Sequence, residues 1–290
     1  MEIKRLSDEN IKVEFSTLKA LQFWLPAVIT FYGVFYVSTK TSFLLIHLMF
    51  VYFFVCLGHC VGLHRHFIHE TFKTNRIISS IFLLLTALSG IGGPLTWIKI
   101  HALRDHWQNQ SCAPKILGYR HNIFSDFFYN LHLKITPLND RHLQRLPNNL
   151  LNDSRVLFYE SYWILINLLF CFCIYFVFGF GGVVWIMAFR YCTTIAGHWL
   201  VGYIVHRWGE KRYEIENASE EGRNQLLLGW LTFGEAYHNN HHKFPSSASM
   251  GLKKIEFDLA FMSILALEKM GLAKDVKISK DHFLNEKTQT

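Results

Sequence analysis

Three histidines, His238, His241 and His242, stand in the run Gly234-Glu-Ala-Tyr-His-Asn-Asn-His-His-Lys-Phe-Pro245. A helix advances about 100° per residue, so positions i, i+3 and i+4 share one face. Three imidazoles on one face are three neutral nitrogen ligands aimed at one point, the chemistry of a transition-metal site. The plain alternative is a polar helix face that happens to hold histidines. A second His pair, His64 and His69 in Gly62-Leu-His-Arg-His-Phe-Ile-His-Glu-Thr-Phe72, argues against it. Their i, i+5 spacing puts them about 140° apart on an α-helix, close enough to converge near a helix end. His66 reads as a local hydrogen-bonding residue.

The elements that must position these groups are apolar. Half of the 290 residues are hydrophobic (51%) and 16% are aromatic, which points away from a soluble domain and towards membrane spans of about 20 residues. Residues 20–38, 43–62 and 77–97 form three such stretches. A fourth, 161–189, breaks at Gly179-Phe-Gly-Gly182 and leads into a last span over 183–205 that carries Arg190. Arg190 inside a span needs a partner, which the sequence does not name.

If 77–97 crossed fully, His64 and His238 would face opposite sides of the membrane and could not share a site. The segment is therefore expected to dip in and return, or to lie along the interface. Ser89-Gly90 and Gly92-Gly93-Pro94 would break a straight helix there. Four crossings remain, with outer hairpins at Ser38–Thr41 and Gly179–Gly182. Of 29 Lys and Arg, Lys40 alone falls in these hairpins, which puts both termini and every motif histidine on the cytoplasmic side. The net charge of +7 mostly expresses this rule and suits anionic headgroups or an acidic electron carrier. Nucleic acid is a poor partner, since there is no soluble basic domain.

The first 19 residues mix both charges and do not read as a secretory signal; residues 10–19 are expected along the membrane surface. The six cysteines form no CxxC or zinc pattern and read as reduced, packed thiols. The expected organisation is one domain over 1–290: a cytosolic N-terminus (1–19), two spans (20–62), a cap segment (63–157) holding the re-entrant 77–97, two spans (158–206) and a second cap segment (207–290).

The histidine boxes, their order and their placement resemble the membrane fatty-acid desaturases, most of all the acyl-CoA delta-9 (stearoyl-CoA) type. Gly62–Lys73 resembles that family's first box and Thr232–Pro245 its third. Gly222-Arg-Asn-Gln225 resembles the stretch before the third box, and Gly251-Leu252 and Gly271–Val276 its tail. The resemblance covers roughly residues 20–278. It implies an all-α integral membrane fold of four transmembrane helices and a re-entrant or interfacial segment, under a cytosolic helical cap that holds a diiron site. It also implies that Arg190-Tyr191, followed sixteen residues later by His206, marks His206 as the lone ligand. His198 would lie deeper, bonded to a neighbouring helix.

Two departures stand out. The second box should read His-x-x-His-His, but His101 is followed by Arg104 and Asp105 in those places. Seven of the family's nine ligand histidines remain: His64, His69, His101, His206, His238, His241 and His242. The family's Asn four residues before the lone His is here Gly202. Asp105, at i+4 from His101, shares its helix face and can replace one ligand, since carboxylates bind iron well. His106 is a further candidate, repeating the i, i+5 spacing. Arg104 would repel a cation and is expected to pair with Asp105 or with a substrate phosphate. The alternative is that Arg104 and Asp105 form a structural ion pair and one iron site is weakened.

The function implied is oxidative. Two irons reduce O2 with electrons from an external donor and abstract hydrogen from a methylene, leaving a cis double bond. Only redox-active metal chemistry attacks such a C–H bond. The substrate would be a fatty acyl-CoA or acyl-lipid. The donor would be a ferredoxin, rubredoxin or cytochrome b5 type protein with its reductase. Glu235, Asn239 and Asn240 are candidates to bond the second ring nitrogen of ligand histidines. Lys99, Arg104 and Arg145 could meet an anionic headgroup, although basic cytoplasmic residues need no such explanation. A bacterial inner membrane is favoured over the endoplasmic reticulum. Competing readings are a lipid hydroxylase or other diiron oxygenase, a histidine-rich metal transporter, and a non-catalytic relative with an impaired metal site. Motif histidines at span ends count against the transporter, whose ligands lie mid-membrane.

Overall fold

Helix α1 (Thr17–Tyr36) begins where the Ser16 side chain accepts a hydrogen bond from the Lys19 backbone N–H. Its surface is apolar: Val28, Phe31 and Phe35 are each more than 60% exposed. Such an apolar belt is costly in water and at home in lipid. The computed structural model describes residues 6–147 and 149–283. Among these, three helices are long and apolar enough to cross a membrane: Thr17–Tyr36, Thr41–Ile68 (α2) and Ser154–Val205.

The last of these is not one rod. Gly179 has φ 64° and ψ −162°, a non-helical geometry open to glycine, at the break the sequence predicts. It divides α6 (Ser154–Gly182) from a wide-turned segment, Val183–Ala188, and α7 (Phe189–Val205). Ile174 and Phe178 pack in one cluster with Val184, Trp185 and Phe189, so the two halves fold against each other.

Helix α2 runs past residue 62 to Ile68, and from Val51 onward it is wound in i→i+5 turns. The stretch 77–97 is two helices, as its glycines predict. Helix α3 (Arg76–Leu88) ends at Ser89, Gly90 and Gly92 take positive φ, and α4 (Pro94–Gln108) starts with Pro at its first turn. Two side chains meet the end of α3: Asn167 Nδ2 donates to the Ala87 carbonyl (2.7 Å), and Arg190 donates to the carbonyls of Leu88 (2.9 Å) and Ser89 (3.1 Å). Arg190's partner is thus a helix C-terminus, whose partial negative charge suits a cation. The rings of Phe54 and Tyr191 sandwich its guanidinium. At the other end of the bend, Glu160 of α6 accepts from the Thr96 backbone N–H (3.0 Å) and hydroxyl, and so caps α4.

The chain is mostly helical, but the all-α expectation needs a correction. Residues 11–15 form strand β1 (Ile11–Phe15), antiparallel to β3 (Leu133–Pro137), which follows helix α5 (Ile123–His132). Ile11 and Val13 point inwards and Lys12 and Glu14 outwards, a period-two pattern that was legible in the sequence. A second short ribbon pairs β2 (Lys73–Thr74) with β4 (Ala273–Lys274) and ties the C-terminal tail to the end of the first box. Helices α8 (Leu226–Leu231), α9 (His238–Lys243) and α10 (Leu259–Lys269) follow α7 in the chain. All six cysteines are free.

Candidate metal centre

Four elements bring the motif histidines together. The i→i+5 winding of α2 explains the first box: the His69 N–H bonds the His64 carbonyl (3.2 Å), so residues five apart stack on one side instead of diverging by 140°. His101 comes from α4, His206 ends α7, and α9 supplies the remaining three.

All seven histidines fall into two adjacent groups, each with ligand atoms within 4.8 Å of one another: His64, His69, His101 and His241, and then His206, His238 and His242. This corrects the expectation of one focal point for α9. His238 and His242, at i and i+4, serve one group; His241 faces the other. The rings of His238 and His241 lie only 5.7 Å apart, so the groups are neighbours.

The groups fit metal ions. Nε2 of His64, His69 and His206 and Nδ1 of His241 are buried without a hydrogen-bond partner. Each such atom costs about 1–3 kcal/mol unless something binds it. Four around two points are explained by a ligand-hungry site. Nε2 of His238 and His242 face each other at 3.0 Å. Burial, first, and then neighbouring histidines hold His238 and His241 below the usual imidazole range; burial lowers His242 against the opposing pull of Asp105, and burial foremost lowers His206 to about 3. The rings are therefore neutral at neutral pH, the form that ligates metal.

The outer nitrogens are anchored. His64 Nδ1 donates to Glu235 (2.6 Å), and His206 Nδ1 to the Gly202 carbonyl (2.8 Å). Glu235 also receives Arg65 (3.0 Å), which is fully buried and pairs with Asp258 (2.9 Å), so the first and third boxes share one charge network. Asn239 and Asn240 do not touch the ligand rings. Asn239 binds the carbonyls of Tyr213 and Gly222, and Asn240 binds Met250, Asn224 and Glu256; both are buried scaffold. Gly222 is required for closeness, since a Cβ there would lie 2.8 Å from the His238 ring. His66 bonds the Phe72 carbonyl, a local role as expected. His198 stays outside both groups, and its contacts are with the rings of His59 and Trp97 rather than a polar partner.

The departures resolve differently from the expectation. Asp105 and Arg104 do not pair. The Asp105 carboxylate lies 3.2 Å from His101 Nδ1. Burial raises its pKa, but His101, then His69 and His242, more than offset this and hold the carboxyl below its usual range. It thus feels histidines of both groups. Arg104 turns away, donating to the Tyr119 hydroxyl and to Asn130 (2.6 Å). Tyr119 stacks on His206, with centroids 4.2 Å apart, and its hydroxyl would lie 3.3 Å from a Cβ on Gly202. Arg104, Tyr119 and Gly202, two of them the departures, therefore form one packed unit behind His206. Tyr119 carried no motif signal and was not singled out by the sequence. His106 joins neither group; it packs by Trp107 on the side of α4 that faces Arg141 and Arg145.

Fold and site together define a helical protein with three candidate membrane helices and two histidine groups, each able to hold a metal ion. The fatty acid desaturase family model matches residues 38–255, and the chain belongs to that family of oxidoreductases acting on fatty acyl chains. It is 28% identical to the sn-1 stearoyl-lipid 9-desaturase of Anabaena variabilis, over 77% of this chain and 79% of that protein. It is also 28% identical to the acyl-CoA 5-desaturase AL21 of Anemone leveillei (77% and 68%) and to the hex-5-enoyl-[acyl-carrier protein] acetylenase of Moorena producens (77% and 73%). The family resemblance drawn from the histidine boxes is borne out.

Proposed function

We propose that this chain is an O2-dependent desaturase that sets a cis double bond in a fatty acyl chain, carried on CoA or on a lipid, at a pair of irons. The observation that carries this is the gathering of seven histidines into two adjacent groups with unpartnered ring nitrogens turned inwards. His64, His69, His101 and His241 would hold one iron, and His206, His238 and His242 the other. Asp105, paired with His101, would offer a carboxylate beside the first group. Bound iron supplies the redox chemistry for removing hydrogen from an unactivated methylene, with O2 and electrons from a ferredoxin, rubredoxin or cytochrome b5 type donor.

The chain's own residues position and protect. Glu235 and the Gly202 carbonyl fix the tautomers of His64 and His206, leaving Nε2 of each free to ligate. The packed rings of Trp97, His59 and His198 border the first group on its membrane side and limit water there. Four crossings are supported by the break at Gly179 and by the short, bent α3–α4 pair. With Lys40 alone in the outer hairpins, the boxes lie on the cytoplasmic side, in a bacterial inner membrane.

One second reading, a lipid hydroxylase, needs the same metal site. Expression in a host with a matching electron donor, followed by mass analysis of lipid and thioester acyl chains, tests both. Desaturation removes two hydrogens; hydroxylation adds one oxygen. His238→Ala is expected to abolish the product, and unchanged product in that variant would sink both readings.

A further inference from the structure

Away from the histidines, helices α3 and α6 begin side by side and leave a cavity of about 530 Å3 lined by His66, Arg76, Ser79, Asp153, Ser154 and Arg155, among others. Arg155 is fixed in it: Asp153 grips the guanidinium (2.6 and 3.0 Å), which also donates to the Ser79 hydroxyl (2.5 Å) and the Arg76 carbonyl (3.3 Å). One acidic group thus faces two arginines. Arg76 is exposed and has no acidic partner among the described residues. The first N–H groups of α3, a helix of 13 residues, add partial positive charge.

A second cavity, of about 420 Å3, starts at the same Arg76 and runs between Ile77, Ile81, Leu84 and Tyr159. Ile77, Ile81 and Leu84 follow i, i+4, i+7 spacing, one face of α3, and are 72%, 43% and 36% exposed. A cationic pocket with hydroxyls therefore continues into an apolar groove on the lipid-facing side, with Arg76 at the joint. That sequence of chemistry matches an anionic phospholipid: a phosphate at Arg76, beside the Asp153–Arg155 pair, and an acyl chain along α3.

We propose that the α3–α6 groove is a binding site for an anionic phospholipid of the cytoplasmic leaflet, distinct from the metal centre. It braces α3, the segment between the first and second histidine boxes. The site rests on the membrane placement proposed above and not on the iron chemistry, so iron content and product reveal failure of that reading separately.

The test is native mass spectrometry and thermal unfolding of the detergent-purified full chain, titrated with phosphatidylglycerol, phosphatidylcholine or inorganic phosphate. Phosphatidylglycerol should be retained at one per chain and raise the unfolding temperature; phosphatidylcholine and phosphate should do neither. Arg76→Ala, at an exposed position whose side chain has no acidic partner among the described residues and whose backbone bonds are kept, should weaken retention roughly five-fold. Ile81→Asn should weaken it through the chain-binding groove, and iron content should stay at the wild-type level in both. Equal retention of the two lipids, or no effect of Arg76→Ala, overturns the proposal. So does stabilisation by phosphate alone, which would make the pocket a site for small anions.

Discussion

His64 Nδ1 lies 2.6 Å from a carboxylate oxygen of Glu235, whose other oxygen lies 3.0 Å from the buried guanidinium of Arg65. One carboxylate thereby orients a ring of the first box from within the third box. Replacing it by Gln keeps the shape and removes the charge. Glu235→Gln is expected to weaken iron binding about 10–100-fold with helicity unchanged. Competition with a graded series of chelators measures this; an unshifted competition curve would leave Glu235 a purely structural residue.

Asp105 belongs to neither histidine group but touches a member of the first, His101, at 3.2 Å. Iron counted on purified protein should be two per chain, falling towards one in Asp105→Ala. Two irons retained in the variant would reduce Asp105 to an orienting partner of His101. One iron or none in the wild type would mean the altered second box cannot hold a pair.

Gly202 and Tyr119 form a matched pair, with the phenol occupying space that a side chain at 202 would need. Gly202→Asn should destabilise the protein by about 1–3 kcal/mol and disturb His206. Tyr119→Phe, which removes the crowded hydroxyl, should recover part of that loss, so the double variant will be less unstable than the sum of the two. Additive losses in thermal unfolding would refute the coupling.

Asp258 accepts hydrogen bonds from Arg65 and from the backbone N–H groups of Met250 and Phe261, all buried. Asp258→Ala removes one of the two carboxylates that pair with buried Arg65, leaving Glu235, and unpairs the buried N–H groups of Met250 and Phe261. It should cost about 3–5 kcal/mol, measured as lost thermal stability of the apo protein.

Glu256 gives a pH dependence. Burial raises its pKa, but Arg212 and the N–H groups of Leu252 and Lys253 outweigh this and lower it below 4.5. The unfolded chain thus takes up the proton first. The stabilisation is complete above pH 4.5 and is lost as pH falls through the lower folded value. Apo protein should unfold more readily below that point, and Glu256→Gln should flatten the decline. An identical acid profile in the variant would assign the loss to other groups.

Much of this was legible in the chain. Histidine type and spacing named the chemistry, because imidazoles at helical spacing have few other uses. Apolar runs named the spans, and Gly179, Gly90 and Gly92 marked breaks because their positive φ suits glycine without strain. Three things needed the tertiary structure. The i→i+5 winding of α2, which unites His64 and His69, runs where Gly58 and Gly62 let α2 pack closely on α3. Which histidine joins which group depends on how α9 straddles elements distant in sequence. The fates of Arg104 and Asp105 were also undecided, since neighbours on a helix point about 100° apart and only the surrounding walls, Tyr119 and Asn130 for one and His101 for the other, determine what each side chain meets. Spacing along one element fixes which groups share a face; which faces meet is decided by contacts between elements.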